Sequence, residues 1–354
     1  MSHFTVMVLG DTPEDSLAPY QENNMGDCPE EYLEFDDQTE EYMERYKNEA
    51  FPMVVTPEGE RISRYGDEFS NAIKEFLAET NGELPSFVTH EFREQAWEGL
   101  KEQGWEEIDV PYTEFYDSFE EYIEDRCNSE EVDGETRYGY WHNPNSKWDW
   151  YVLGGRWKGM LKLKHGAKGT EGEPGVFGNS SRPGWVDQAR KGDIDWQGMR
   201  MVKKAAAMKR YDKFEAKVKA GYKPEDMVHF IKWWADNKYP NDRYPHKPQD
   251  EYQNMDAFLA DKWRHKCAET TGIIDFIGPR TIPSREDYVK KSQDFSTFAV
   301  IDLDGQWHEA GKMGWWGMVD ATEEEQQAFS SGFFERWIEP LDDDVLISIY
   351  DCHV

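Results

Sequence analysis

Val345-Leu346-Ile347-Ser348-Ile349-Tyr350-Asp351-Cys352-His353-Val354 closes this chain, and His3-Phe4-Thr5-Val6-Met7-Val8-Leu9 opens it. Both runs are short, apolar and rich in β-branched residues, the pattern of strands buried inside a sheet. Neither run can be left in water without exposing a row of apolar side chains. The economical solution is that the two ends of the chain lie in one sheet, side by side. Between them the sequence reads mostly as helices, with further strand-like runs near the middle. The predicted class is therefore α+β, its sheet assembled from both chain ends and central strands and covered by several helices.

The 354 residues suffice for a sizeable core. Hydrophobic content is only 38%, but 15 Trp, 18 Tyr and 19 Phe supply much buried area from few residues, and a chain so rich in aromatics folds. The four cysteines, Cys28, Cys127, Cys267 and Cys352, form no CxxC pair, which removes zinc-knuckle and thioredoxin-like readings. The opening run has no basic flank, so it reads as a strand and not as a signal peptide. No apolar run approaches the roughly 20 residues that span a bilayer. A cytoplasmic, non-membrane protein is expected.

The net charge of −32 is unevenly distributed. Residues 1–150 carry 39 Asp/Glu against 10 Lys/Arg, residues 151–290 carry 19 against 27, and residues 291–354 carry 14 against 3. Such asymmetry predicts distinct acidic and basic regions. We read the chain as a single large domain, 1–354, with an acidic surface excursion at about 11–60. A Gly-rich loop at 165–184 and a helical basic insertion at about 185–290 complete the plan. Helices are predicted around 67–79, 89–103, 112–126, 196–220, 224–237, 256–270 and 322–334. Strands are expected at 136–142, 160–164, 296–302 and 306–309.

Four sets of residues carry candidate chemistry. In Trp148-Asp149-Trp150-Tyr151-Val152-Leu153-Gly154-Gly155-Arg156-Trp157-Lys158, a Gly-Gly pair permits close backbone approach, an Arg can fork onto phosphate, and Trp can stack on a base. Trp150, Gly154, Gly155, Arg156, Trp157 and Lys158 are thus candidate ligand-binding residues. The competing reading makes Gly-Gly a bulge, Arg156 the partner of a structural carboxylate, and the tryptophans core. Neither GxxxxGK[ST] nor GxGxxG is present. If the chain ends pair, His3, Asp351 and His353 converge and become candidate ligands for a divalent metal ion. His308 and Glu309, after the Asp304-Gly305 turn, are outside candidates for acid–base work, beside Gly314-Trp315-Trp316-Gly317. Lys158, Lys162, Lys164, Lys203, Lys204, Lys209 and Arg210 are candidate lining residues of one basic groove suited to single-stranded nucleic acid or a nucleotide.

The opening Ser2-His3-Phe4-Thr5-Val6, the Trp148–Trp157 block and the closing Asp351-Cys352-His353 together resemble a group of uncharacterised bacteriophage proteins. The resemblance covers the ends and centre of the chain. It implies expression in an infected bacterial cytoplasm and carries over no catalytic residue. Two functions follow as expectations. One is a phage-encoded acidic interaction protein that docks on a basic host protein and inhibits a nucleic-acid-binding or defence factor. The alternative is a protein that binds a small phosphorylated, nucleotide-like ligand, or a phosphoester-processing enzyme, using the Gly/Trp/Arg segment. The overall negative charge argues against genomic DNA as a partner.

Overall fold

The computed structural model describes all residues except 1, 82–89, 125, 177–180, 236–247, 275–280 and 314–318. It is an α+β protein. Where the sequence reading treats the chain as one domain, the fold separates into two compact units: residues Met1–Glu22 with Asn145–Val354, and residues Asn23–Pro144.

The first unit is built on the two chain ends. His3–Leu9 and Leu346–His353 pair antiparallel along their whole length, with His3 opposite His353 and Leu9 opposite Ile347. Ser2 and Val354 extend the ladder by exchanging both backbone hydrogen bonds at 3.0 Å. Ala299–Ile301 lies parallel to the first strand on its other side, and Trp307–Glu309 returns antiparallel to it. The free edge of the last strand is shared by two short partners. Trp150–Gly155 pairs with its second half, from Tyr350 to His353, and Gln188–Arg190 with its first half, from Leu346 to Ser348.

Period-two alternation gives this sheet two apolar faces. Phe4, Val6, Val8, Tyr350 and Cys352 face one core, closed by Leu17 and Trp148, whose indole N–H donates to the Leu17 carbonyl. Met7, Leu9, Ile347 and Ile349 face the other, closed by Leu161, Ile194, Met199, Phe333 and Ile338. Helix Trp196–Ala220 starts where expected, capped by the Asp195 carboxylate. It runs on to pack Tyr211 and Phe214 against Cys267 and Ala268 of helix Met255–Thr271. Among the described residues the expected basic insertion at 185–290 holds helices Trp196–Ala220, Val228–Ala235, Met255–Thr271 and Arg285–Lys291. Its first residues, Trp185–Val186 and Gln188–Arg190, are strands.

The Gly-rich stretch also differs from a free loop. Glu173–Pro174 adds to the outer edge of Trp150–Gly155 in parallel. A Cβ on Gly172 would lie 2.1 Å from the Leu153 carbonyl oxygen, so glycine is what lets the two backbones meet.

The second unit holds two three-stranded antiparallel sheets, Glu34–Asp37/Glu135–His142/Asn128–Val132 and Arg61–Ser63/Ala50–Val55/Glu106–Pro111. Helices Asp67–Asn81 and His90–Glu102 close a core of Val54, Phe69, Ile73, Leu77, Ala96, Trp97 and Leu100. The stretch 112–126, expected as one helix, breaks into Tyr112–Phe115 and Phe119–Ile123, because the Ser118 hydroxyl caps a new start by accepting from Glu121 N–H. Helix Thr39–Asn48 buries no residue and displays Glu40, Glu41 and Glu44 to solvent. This unit carries 34 Asp/Glu against 9 Lys/Arg, a net −25 of the chain's −32. Among the described residues no helix is long and apolar enough to cross a membrane.

Candidate functional site

The sheet face that buries Met7 and Ile349 turns polar toward its end. Along the first strand the same face carries Thr5 and then His3; along the last it carries Asp351 and then His353. Trp150 lies opposite His353 on the next strand, so His3, His353 and Trp150 form one row across three strands. The imidazole centroids of His3 and His353 are 4.9 Å apart. The Trp150 ring stacks on His353 at 5.2 Å and 17°, and meets His3 edge-on at 5.3 Å. The indole remains 43% exposed.

Each imidazole is anchored by its own carboxylate. His3 Nδ1 lies 2.8 Å from Asp351 Oδ1, and His353 Nδ1 lies 2.7 Å from Asp149 Oδ1. An ionised carboxylate only accepts, so each Nδ1 carries the proton and each Nε2 is the basic nitrogen of the neutral ring. Among the described residues neither Nε2 has a protein partner. Asp149 grips His353 twice, since its backbone N–H also donates to the His353 carbonyl at 2.9 Å. Asp351 is buried, and its second oxygen accepts from the Arg156 backbone N–H at 2.8 Å.

Here the two sequence signals meet: the Gly/Trp/Arg segment and the chain-end histidines are joined through Asp351. Gly155 has φ +53, and a Cβ there would come within 2.3 Å of the Asp351 carboxylate; Gly154 has φ +83 and faces Asp187 in the same way, at 2.7 Å. The glycine pair therefore makes room for two buried carboxylates rather than for a ligand. Asp187 plugs the junction between the two short strands on the last strand's edge. It accepts from Gly159 N–H at 2.5 Å and Gly172 N–H at 2.9 Å, while its own carbonyl receives Ile349 N–H. Burial pushes the Asp187 carboxyl up, against the pull of the Gly172, Gly159 and Met160 N–H groups and of Lys158.

Of the six residues predicted to bind ligand, Trp150 is exposed against the histidines, Arg156 is exposed, and Trp157 is half-buried. Lys158 is buried and paired with Glu171 at 3.0 Å. Most other lysines of the expected groove are committed as well: Lys162 to Asp195, Lys164 to the Gly192 carbonyl, and Lys203 to the Asp294 carbonyl. No common basic groove is assembled from them. His3, Asp351 and His353 do converge, but as two separate imidazole–carboxylate pairs. Among the described residues no group of three His, Cys, Asp or Glu is placed to hold a metal ion.

Asp149 was missed in the sequence, although it sits between the two tryptophans that were singled out. Glu22 was missed too. Burial and the Asp149 carboxylate push its carboxyl up, while Lys312 and His353 pull it down, which places it within electrostatic reach of the histidine row. A carboxyl so placed holds its proton to higher pH than an ordinary glutamate and is a candidate acid.

His308 and Glu309 fall elsewhere in the unit. His308 Nε2 lies 2.6 Å from Asp302 Oδ2, and Glu309 joins Lys147 at 2.6 Å and the Trp307 indole N–H at 2.8 Å. The Gly314–Gly317 stretch lies outside the described residues. No protein-family model matches this chain, and no curated protein or solved structure shows significant similarity to it.

Proposed function

We propose that the histidine row is an acid–base site for a phosphate-bearing, nucleotide-like ligand, and that the chain processes a phosphoester there. The observation that carries this reading is the pair of adjacent imidazoles, each held at Nδ1 by a carboxylate and each left with an uncommitted Nε2. Phosphoester cleavage needs two proton transfers on opposite sides of phosphorus. One neutral Nε2 takes the proton of the attacking water or ribose hydroxyl, and the other imidazole, protonated, gives its proton to the leaving oxygen. The two rings then exchange roles in charge, and no metal ion is required by the balance. Trp150 offers an exposed indole face for a base, worth about 1–3 kcal/mol per stacked base in comparable sites. Arg156, whose backbone N–H holds Asp351, is the candidate guanidinium for phosphate oxygens.

The test is turnover of 2′,3′-cyclic nucleotides and of bis(p-nitrophenyl) phosphate in the presence of EDTA. His3→Gln and His353→Gln should each lower kcat by about 100-fold or more, the usual scale of general acid–base contributions. Absence of turnover on the whole panel, or turnover indifferent to both substitutions, removes the proposal.

A second reading rests on a separate observation, the net −25 concentrated in residues 23–144. That unit would present a polyanion-like surface to a basic host protein, as expected of a phage-encoded inhibitor of a nucleic-acid-binding or defence factor in the bacterial cytoplasm. Its measurable signature is release of a cationic DNA-binding protein from immobilised duplex DNA, weakening with added salt.

A further inference from the structure

A cleft of about 550 Å³ opens on the first unit, lined by Tyr20, Lys147, Trp307, His308, Arg336 and Trp337 among others. Its charges are not equally engaged. Lys147 is neutralised by Glu309 at 2.6 Å. His308 Nε2 is committed to Asp302, leaving Nδ1 as the remaining polar atom of that ring. Arg336 is different: among the described residues its guanidinium has no carboxylate partner, only a long 3.4 Å contact from Nη2 to the Ala328 carbonyl. Trp337 packs against His308 with ring centroids 4.5 Å apart, and its indole N–H is buried with no acceptor among the described residues.

A guanidinium without a carboxylate partner attracts negative charge. An oxyanion entering the cleft has Arg336 as the one cation there without a carboxylate partner among the described residues. The rest of the wall is aromatic. Tyr20 and Trp307 lie 5.1 Å apart and are fixed to each other, since the Tyr20 hydroxyl accepts from Trp307 N–H at 3.0 Å and donates to the Gly305 carbonyl at 2.7 Å. A rigid aromatic wall favours a flat ring.

We propose that this cleft is a binding site for a small organic anion, a flat ring bearing one carboxylate or phosphate. The site is independent of the acid–base row.

Isothermal titration calorimetry on the full chain with phenyl phosphate, benzoate and inorganic phosphate tests it. Phenyl phosphate and benzoate separate the two oxyanions, and inorganic phosphate lacks the ring. At least one ringed probe should bind, and Arg336→Met should weaken it about tenfold or more, the scale of one charge-assisted contact. Trp337→Phe, which keeps a ring and deletes only the buried N–H, should leave it within about twofold. His353→Gln should leave that binding component intact. Circular dichroism melting of each variant shows whether the fold is retained; Arg336 is exposed, so its variant should melt with the wild type. The proposal is overturned if no ringed probe binds, if inorganic phosphate binds as tightly as phenyl phosphate, or if binding ignores Arg336→Met.

Discussion

Gly155→Ala tests the claim that the glycine pair exists to admit buried carboxylates. Two costs add at this position. Gly155 has φ +53, a left-handed conformation that costs an L-residue with a Cβ about 1–2 kcal/mol. The new methyl would also stand 2.3 Å from both Cβ and Oδ2 of Asp351 and 2.7 Å from its Cγ. Carbon atoms prefer roughly 3.5–4.0 Å, so something must move. Asp351 cannot swing aside cheaply, because it is buried with one oxygen on His3 and the other on Arg156 N–H. Overpacking of this kind costs about 1–3 kcal/mol, and with the backbone strain the expected loss is about 2–5 kcal/mol.

Gly166→Ala is the control: it has φ +82 but nothing within 4 Å of the added Cβ. It should lose only the backbone cost, about 1–2 kcal/mol. Urea denaturation followed by tryptophan fluorescence measures both variants. Imidazole ¹⁵N spectra should show His3 leaving its Nδ1–H form in Gly155→Ala and not in Gly166→Ala. Equal losses in the two variants, with His3 undisturbed, would falsify the steric argument.

Two further outcomes follow from charges. Burial raises the Asp302 carboxyl, but hydrogen bonds from His308 and from the N–H groups of Gln306 and Asp304 outweigh it, and the folded-state value lies below the ordinary one. The stability this group contributes, about 1–3 kcal/mol for hydrogen bonds to a charged acceptor, is therefore fully present above the unfolded value near 4. It is lost as pH falls below that through the folded value, so the gap between wild type and Asp302→Asn should narrow below about pH 4 in urea titrations; a pH-independent gap contradicts it. For the acidic unit, release of a cationic DNA-binding protein should weaken steeply between low salt and about 0.15 M, where screening sets in near 8 Å. Reversing Glu40, Glu41 and Glu44 to Lys should blunt it; salt-independent release would count against polyanion mimicry.

The strands at both ends were legible because nothing but a sheet interior suits Val6-Met7-Val8 and Ile347-Ser348-Ile349, and their pairing brought His3, Asp351 and His353 onto one face as expected. Helices with a clear apolar stripe, such as Asp67–Asn81, were legible for the same reason. Apart from 136–142, which is part of strand Glu135–His142, the strands of the acidic unit were not. Glu106–Pro111 places only Val110 among buried residues, so its alternation is hidden behind carboxylates. In the site, Arg156 and Trp150 were visible as residue types, but their roles depend on what lies across the sheet. No spacing reveals that Gly154 and Gly155 face Asp187 and Asp351, or that Asp149 holds His353 from another strand.

His3 and Asp351 touch across 348 positions of sequence. At roughly 5–20 residues per second of translation, the opening strand waits about 20–70 s on the ribosome for its neighbour to be made. For that interval Phe4, Val6, Met7, Val8 and Leu9 have no native cover on the side the last strand will occupy. The segment 23–144, whose contacts are largely its own, can fold in the meantime. It would tether the waiting strand to a strongly charged body, whose like charges oppose aggregation during synthesis.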